Sequence, residues 1–287
     1  MAELMAGSYN VVKGTDTVQR LAMIIWGAAG DGKTTLAATA PGNKLIIQFD
    51  DGGSSSIVGL KAKLDREKPE LDTALKNDLY IVDMSKADKS TYVGKFDRED
   101  PFEITKLLTD PELNIETVII DSLTSLGNDV LNYAVKYAGL NKSTLATPGK
   151  QAYGVRLNYL KAFILNLLKL TNRFNKNIIF ISHEADKHDS DGELVAVTLA
   201  LGGNLPNETA LSVGEVWYFK NNAATGREIF LVPFSSYKPM KSRMFNVATD
   251  KRFKFVYDVN NPDPKYEIAT LYKQWVDSNH EKIAIPK

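Results

Sequence analysis

Leu21-Ala22-Met23-Ile24-Ile25-Trp26, followed at once by Gly27-Ala28-Ala29-Gly30-Asp31-Gly32-Lys33-Thr34-Thr35, decides how this chain reads. The first six residues are too short for an independent helix and stop at glycine, so they predict a buried strand. The segment from Gly27 to Thr34 fits the phosphate-loop spacing G-x-x-x-x-G-K-[ST]. Gly27 and Gly32 let the backbone curl until successive N–H groups converge on an anion. A helix expected from Thr34 to about Ala40, stopped by Pro41-Gly42, aims its positive end at the same place. The Lys33 ammonium is placed for β- and γ-phosphate oxygens, the Thr34 hydroxyl for magnesium and the Thr35 N–H for the α-phosphate. A chance glycine-rich turn is the competing reading, and the flanking strand and helix argue against it.

Working outward, further short apolar runs predict buried strands at Lys44–Phe49, Leu79–Val82, Thr117–Ile120 and Asn177–Ile181. Between them, helices are expected over 59–78, Pro101–Leu108, 123–138 and 151–174. The last carries Leu157, Leu160, Ile164, Leu167, Leu168 and Leu170 at spacings of three and four. Residues 85–100 are polar and read as a surface excursion. Beyond residue 190 the pattern changes. Val195–Leu199, Glu215–Phe219 and Glu228–Val232 predict antiparallel strands joined by Gly and Asn turns, and 265–280 a closing helix. The expected fold class is α/β, a mostly parallel central sheet covered by helices and extended by antiparallel edge strands. No linker divides the chain. An N-terminal segment (1–20), a candidate oligomerisation arm, precedes one core (21–260), with a helix and tail at 261–287.

Of 287 residues, 44% are apolar and 24% charged, which excludes wholesale disorder. The absence of cysteine removes disulfides, thiolate zinc sites and cysteine nucleophiles. No apolar run reaches the roughly 18 residues of a membrane span, and the N-terminus lacks a signal-peptide pattern. A cytoplasmic protein without membrane contact is the expectation. Net charge is zero, but unevenly spread. Residues 1–129 hold 14 Lys/Arg against 21 Asp/Glu, whereas 130–183 hold eight Lys/Arg and no acid. Two readings of that basic segment stand: a face that meets phosphate, or solvated helix surface paired with acids elsewhere.

Nucleotide hydrolysis also needs a carboxylate beside the magnesium and a group that orients water. Asp121 ends the apolar strand Val118-Ile119-Ile120 and fits the first need. Asp50 and Asp51 end the strand after the first helix, where the ligand crevice of a parallel sheet lies. Asp51 is the preferred base, with an Asp-Gly turn as the alternative. His183 ends the fifth strand on the same side, as a γ-phosphate contact or as a structural residue. His183, Glu184 and His188 lack zinc spacing. Lys241 and Arg243 follow an edge hairpin, either as a solvated loop or as cations that reach a neighbouring copy's nucleotide.

Subtraction narrows the class. There is no N-K-x-D guanine reader, no transporter-type signature, no second helicase-sized core, no terminal helical bundle of the ring-ATPase kind and no arginine-rich kinase lid. The order Trp26–Thr35, Phe49-Asp50-Asp51-Gly52-Gly53, Val118–Ser122, Tyr153-Gly154, Ile178–Glu184 and Lys241-Ser242-Arg243 resembles the phage-encoded RecA-like ATPases, core-only relatives of the RecA recombinase. Some of these act in single-strand annealing. The resemblance spans about residues 20–245.

That resemblance implies ATP and magnesium as ligands and a homo-oligomer, filament or ring, on single-stranded DNA. A single-strand DNA-binding protein is a natural partner. Asp51 then stands where the family has a catalytic glutamate, and His183 where it has a glutamine that couples nucleotide state to DNA. Lys241 and Arg243 cross the subunit interface. Gly139–Tyr153, with Lys142 and Lys150, corresponds to a first DNA loop, and Glu184 to about Leu211, with Asn204, to a second. Two departures stand out: Asp51 is one methylene shorter than glutamate, and the second loop opens with Glu184, Asp186, Asp189, Asp191 and Glu193 against Lys187 alone. Three functions follow: a DNA-dependent ATPase that promotes annealing or strand exchange, a nucleotide-switched loading factor for a protein partner, and a small-molecule phosphotransferase.

Overall fold

The computed structural model describes residues 4–6, 9–11, 20–93, 95, 100–136, 148–222, 226–248, 250–255 and 262–286. Its core follows from the period of two in the apolar runs. In strand β3 (Ala22–Gly27), Ile24 and Trp26 point to one face, and Met23 and Ile25 to the other. The same alternation recurs in β4 (Asn43–Gln48), β6 (Ile115–Asp121) and β7 (Asn177–His188), so both faces of the sheet are apolar. Each face therefore needs a helical cover.

One face packs on α3 (Lys89–Val93), α4 (Thr105–Thr109), α5 (Leu123–Lys136), α6 (Lys150–Arg173) and α7 (Leu205–Ser212). On α6, Leu160, Phe163, Ile164 and Leu167 supply the buried stripe. The other face packs on α1 (Lys33–Ala38), α2 (Ser55–Glu67) and α8 (Ile268–Asp277). Through Ile268, Leu271 and Trp275, α8 joins the core that Leu36 and Ile57 build.

With β5 (Leu79–Asp83), β8 (Leu194–Leu199), β9 (Glu215–Asn222), β10 (Gly226–Phe230) and β11 (Arg252–Lys254), the sheet order is β11-β10-β9-β3-β7-β6-β4-β5, and β8 pairs with β7 off this path. A separate antiparallel pair, β1 (Leu4–Ala6) with β2 (Tyr9–Val11), precedes it. The six strands from β5 to β9 in this order are parallel, whereas β10 is antiparallel to both its neighbours, β9 and β11. The expected architecture is present.

Several expected details differ. β9 lies parallel to β3 because the chain recrosses the sheet through α7 before entering it. β7 continues seven residues past Ile181 and folds back through β8 as a hairpin beyond the sheet, where polar residues suit an exposed ribbon. The helix expected over 59–78 is α2, which ends before Pro69, followed by a 3₁₀ turn at Ala74–Lys76. Within the polar stretch 85–100, α3 buries Tyr92 and Val93, and the Tyr92 hydroxyl donates to Asp129 Oδ2 at 2.8 Å.

Candidate active site

Strand register assembles the site. Gly27 pairs with His183 and Gln48 with Asp121, so the ends of β3, β4 and β6 and the middle of β7 meet at one edge of the sheet. There a cavity of about 450 Å³ is lined by Gly30, Gly32, Lys33, Thr34, Thr35, Asp50, Asp121, His183 and Arg227, among others. Two glycines are required for local reasons. A Cβ on Gly27 would sit 2.0 Å from the Phe219 carbonyl oxygen. Gly32 caps α1 with φ of 103°, a conformation that L side chains rarely adopt.

Lys33 is 5% exposed, and its Nζ donates to the carbonyl oxygens of Gly27 (3.0 Å) and Ala28 (2.5 Å). Burial lowers its pKa, and Asp31 and Asp121 oppose that shift. Nζ also lies 3.4 Å from His183 Nδ1. An ammonium has only protons to give, so the imidazole accepts there. Burial, and then the Lys33 charge, push the His183 pKa below its ordinary value and favour neutral imidazole. The His183 N–H donates to Thr124 Oγ1 at 2.9 Å, which ties the strand to α5.

The Thr34 hydroxyl donates to Asp121 Oδ2 at 2.8 Å. Burial raises the Asp121 pKa to about 6, Asp50 adding to the shift and the Thr34 hydrogen bond opposing it. Among the described residues no cluster of three or more His, Asp or Glu is placed to hold a metal by itself. Thr34 and Asp121 offer two hard oxygen donors, which suits magnesium, an ion that takes few protein ligands and completes its shell with phosphate and water. Asp31, nearly buried, accepts backbone hydrogen bonds from Asn221 and Ala28, while burial raises its pKa.

Asp50, not Asp51, lines the cavity. Its carboxylate accepts the Ser122 hydroxyl at 3.1 Å and, at closer range, the Ser125 hydroxyl. Asp51 is exposed in the turn that leads to α2. The two neighbours are chemically identical in sequence; the turn and two serines from another element separate them.

Lys241 and Arg243 are not at the cavity. Lys241 exchanges backbone hydrogen bonds with Val216, at the start of β9, and the Arg243 N–H donates to Glu215 Oε1 at 2.6 Å. Val216 and Glu215 pair with Ile24 and Met23, so three to four residues of β3, roughly 10–13 Å at about 3.3 Å per residue, separate that segment from the loop. Buried Glu215 also accepts from the Met244 N–H and Trp217 Nε1, so it fixes the turn that carries both cations. Sequence inspection gave Glu215 no role.

Lys142 lies outside the described residues. Lys150 opens α6, and Asn204 caps α7 while its Nδ2 approaches Glu208 Oε1 at 3.5 Å. The Gly202–Gly203 turn before Asn204 abuts Leu157 of α6, four residues past the end of the first expected DNA segment. Five carboxylates lie here: Glu184 and Asp186 on β7, and Asp189, Asp191 and Glu193 in the turn between β7 and β8. Arg227, on β10, is a cavity residue the sequence did not reveal, since nothing local to it suggests a phosphate.

Residues 19–254 match the family described as AAA domain. The chain belongs to that family. The matched AAA domain contains the loop, both carboxylates, His183, Arg227, Lys241 and Arg243. No curated protein matches the chain. Among solved structures, the RadB recombinase is similar at 17% identity over 73% of this chain and 79% of that one, with a TM-score of 0.41. Among the described residues of this AAA-domain chain, no helical bundle follows β9, only β10, β11, a 3₁₀ turn and α8. None of its described helices is long and apolar enough to cross a membrane.

Proposed function

We propose that this AAA-domain protein is a RecA-like ATPase that binds ATP with magnesium beside residues 27–35, hydrolyses it, and assembles on single-stranded DNA to promote annealing or strand exchange in phage DNA recombination or replication. The observation that carries the ATPase reading is the convergence of Lys33, the Thr34–Asp121 pair, Asp50 and His183 on one cavity. The loop N–H groups from Gly27 to Thr35, including Ala28, Ala29, Gly30 and Asp31, cradle phosphate oxygens. Lys33 leaves its loop carbonyls for the β- and γ-phosphates. Thr34 and Asp121 hold magnesium, which when bound neutralises phosphate charge. Asp50 orients the attacking water and takes its proton, in place of the exposed Asp51. His183, a neutral acceptor and donor, contacts the γ-phosphate and passes its presence along β7.

Lys241 and Arg243 act in a neighbouring copy's site. Their distance from their own loop and their fixed turn support that role. A cation delivered across an interface makes hydrolysis depend on assembly. DNA contact falls to Lys150, Asn204 and Lys142. Such contact is tested by titrating single-stranded DNA at several salt concentrations. The expected outcome is affinity that falls steeply with salt and a shallower salt slope for Lys150→Ala. Equal binding by both proteins at every salt concentration removes α6 from the DNA face.

A second reading is a nucleotide-switched assembly or loading factor whose partner is protein. The carboxylates of the β7–β8 hairpin favour it, since they repel phosphate and attract a basic protein surface. On that reading ATP changes the oligomeric state and DNA changes nothing.

A further inference from the structure

Arg227 enters the cavity from β10, the first antiparallel strand beyond β9. Its guanidinium carbon lies 3.6 Å from the position a Cβ on Gly32 would take, so the side chain lies across the loop. Among the described residues that guanidinium makes no hydrogen bond and no ion pair, although it is half-buried. Asp31 is an electrostatic neighbour, and its carboxylate already accepts two backbone N–H groups. A planar guanidinium with its donors unused, held against a phosphate loop, is built to grip an oxyanion.

Strand order indicates which oxyanion. The carboxylates of hydrolysis, Asp50 and Asp121, sit at the β4 and β6 end of the cavity. Arg227 comes from the opposite direction, past β3 and β9. The γ-phosphate belongs with the carboxylates, so Arg227 faces the other end of the phosphate chain. We infer that Arg227 binds the α-phosphate of the nucleotide from within the same chain. This deepens the ATPase reading and rests on it. Arg227 then serves binding of ATP and ADP alike, while Lys241 and Arg243 remain the cations that assembly brings.

The test is calorimetric titration of wild type, Arg227→Ala, Arg227→Lys and Lys33→Ala with ATP, ADP and inorganic tripolyphosphate. A charged hydrogen bond lost on Arg227→Ala weakens all three ligands by a similar factor, about ten- to a hundredfold. Arg227→Lys, which keeps the charge and loses the fork, falls between. Unfolding without ligand checks that the variants keep their fold.

Loss confined to ATP would move the contact to the γ-phosphate and overturn the inference. Loss for ATP and ADP with tripolyphosphate unaffected would make Arg227 a base or sugar contact, with the same consequence. A second arm separates contact from mere neutralisation of Asp31. If Asp31→Asn cancels the effect of Arg227→Ala, the arginine acts only on Asp31 and the inference fails. If Lys33→Ala abolishes ATP binding while Arg227→Ala leaves it intact, this inference alone falls. If wild type binds no nucleotide, or Lys33→Ala binds as tightly as wild type, the ATPase reading falls and takes the inference with it.

Discussion

The Thr34 hydroxyl gives its proton to Asp121 Oδ2 over 2.8 Å, and that carboxylate is 5% exposed. One hydrogen bond does not compensate for removing a carboxylate from water, which is why its pKa climbs to about 6. The folded chain thus holds this proton more tightly than the unfolded chain does. Its contribution is fully favourable below about pH 4 and is lost as pH rises through about 6.

Asp121→Asn is expected to stabilise the ligand-free protein at pH 7 by up to about 3 kcal/mol, the free energy of a two-unit shift. The gain should vanish toward pH 4. The same variant should lose the stabilisation that magnesium nucleotide gives wild type. Thermal unfolding across pH, with and without magnesium nucleotide, measures both. A variant no more stable than wild type at pH 7 would show that the carboxylate is not under strain.

Asp50 and Asp51 are separable by hydrolysis rate. With Asp50 as the base, Asp50→Asn should lower the rate by about 10²–10⁴-fold. Asp51→Asn should stay within about twofold, as expected of an exposed turn residue away from the chemistry. The reverse ranking would return the role to Asp51.

Complementation between dead variants tests the trans cations. Lys33→Ala lacks a working cavity but keeps Lys241 and Arg243. The double variant Lys241→Ala/Arg243→Ala has the opposite defect. In a head-to-tail assembly, an equal mixture creates competent interfaces at about a quarter of positions. Activity should therefore appear on mixing that neither variant shows alone. Silence of the mixture, with co-assembly verified by sedimentation, would place those cations outside the reaction.

The parts legible in sequence are those that local spacing determines. Residues 27–34 announce the loop because phosphate binding requires fixed intervals along one segment. Short apolar runs such as Leu21–Trp26 and Val118–Ile120 announce buried strands for the same reason. Asp121 could be read because it directly ends such a run. The direction of β9 could not, since alternation looks the same in parallel and antiparallel strands and the crossover through α7 sets the outcome. Asp50 differs from Asp51 through the turn that exposes Asp51 and through Ser122 and Ser125, which arrive from beyond β6. Arg227 depends on a strand that lies nearly 200 residues from the loop. Buried Lys44 is a further case: its Nζ donates to Ala74 O, and Glu267 of the C-terminal segment accepts the Ala74 N–H beside it. Nothing local to Lys44 marks it as internal.

The central claim is that the cavity beside residues 27–35 turns over ATP in a manner coupled to DNA. It is tested most directly by ATP hydrolysis of wild type and Lys33→Ala, each with and without single-stranded DNA. The account predicts turnover that DNA stimulates in wild type and that Lys33→Ala abolishes under both conditions. Turnover indifferent to DNA, or tight ATP binding without turnover, would contradict it and favour the protein-partner switch.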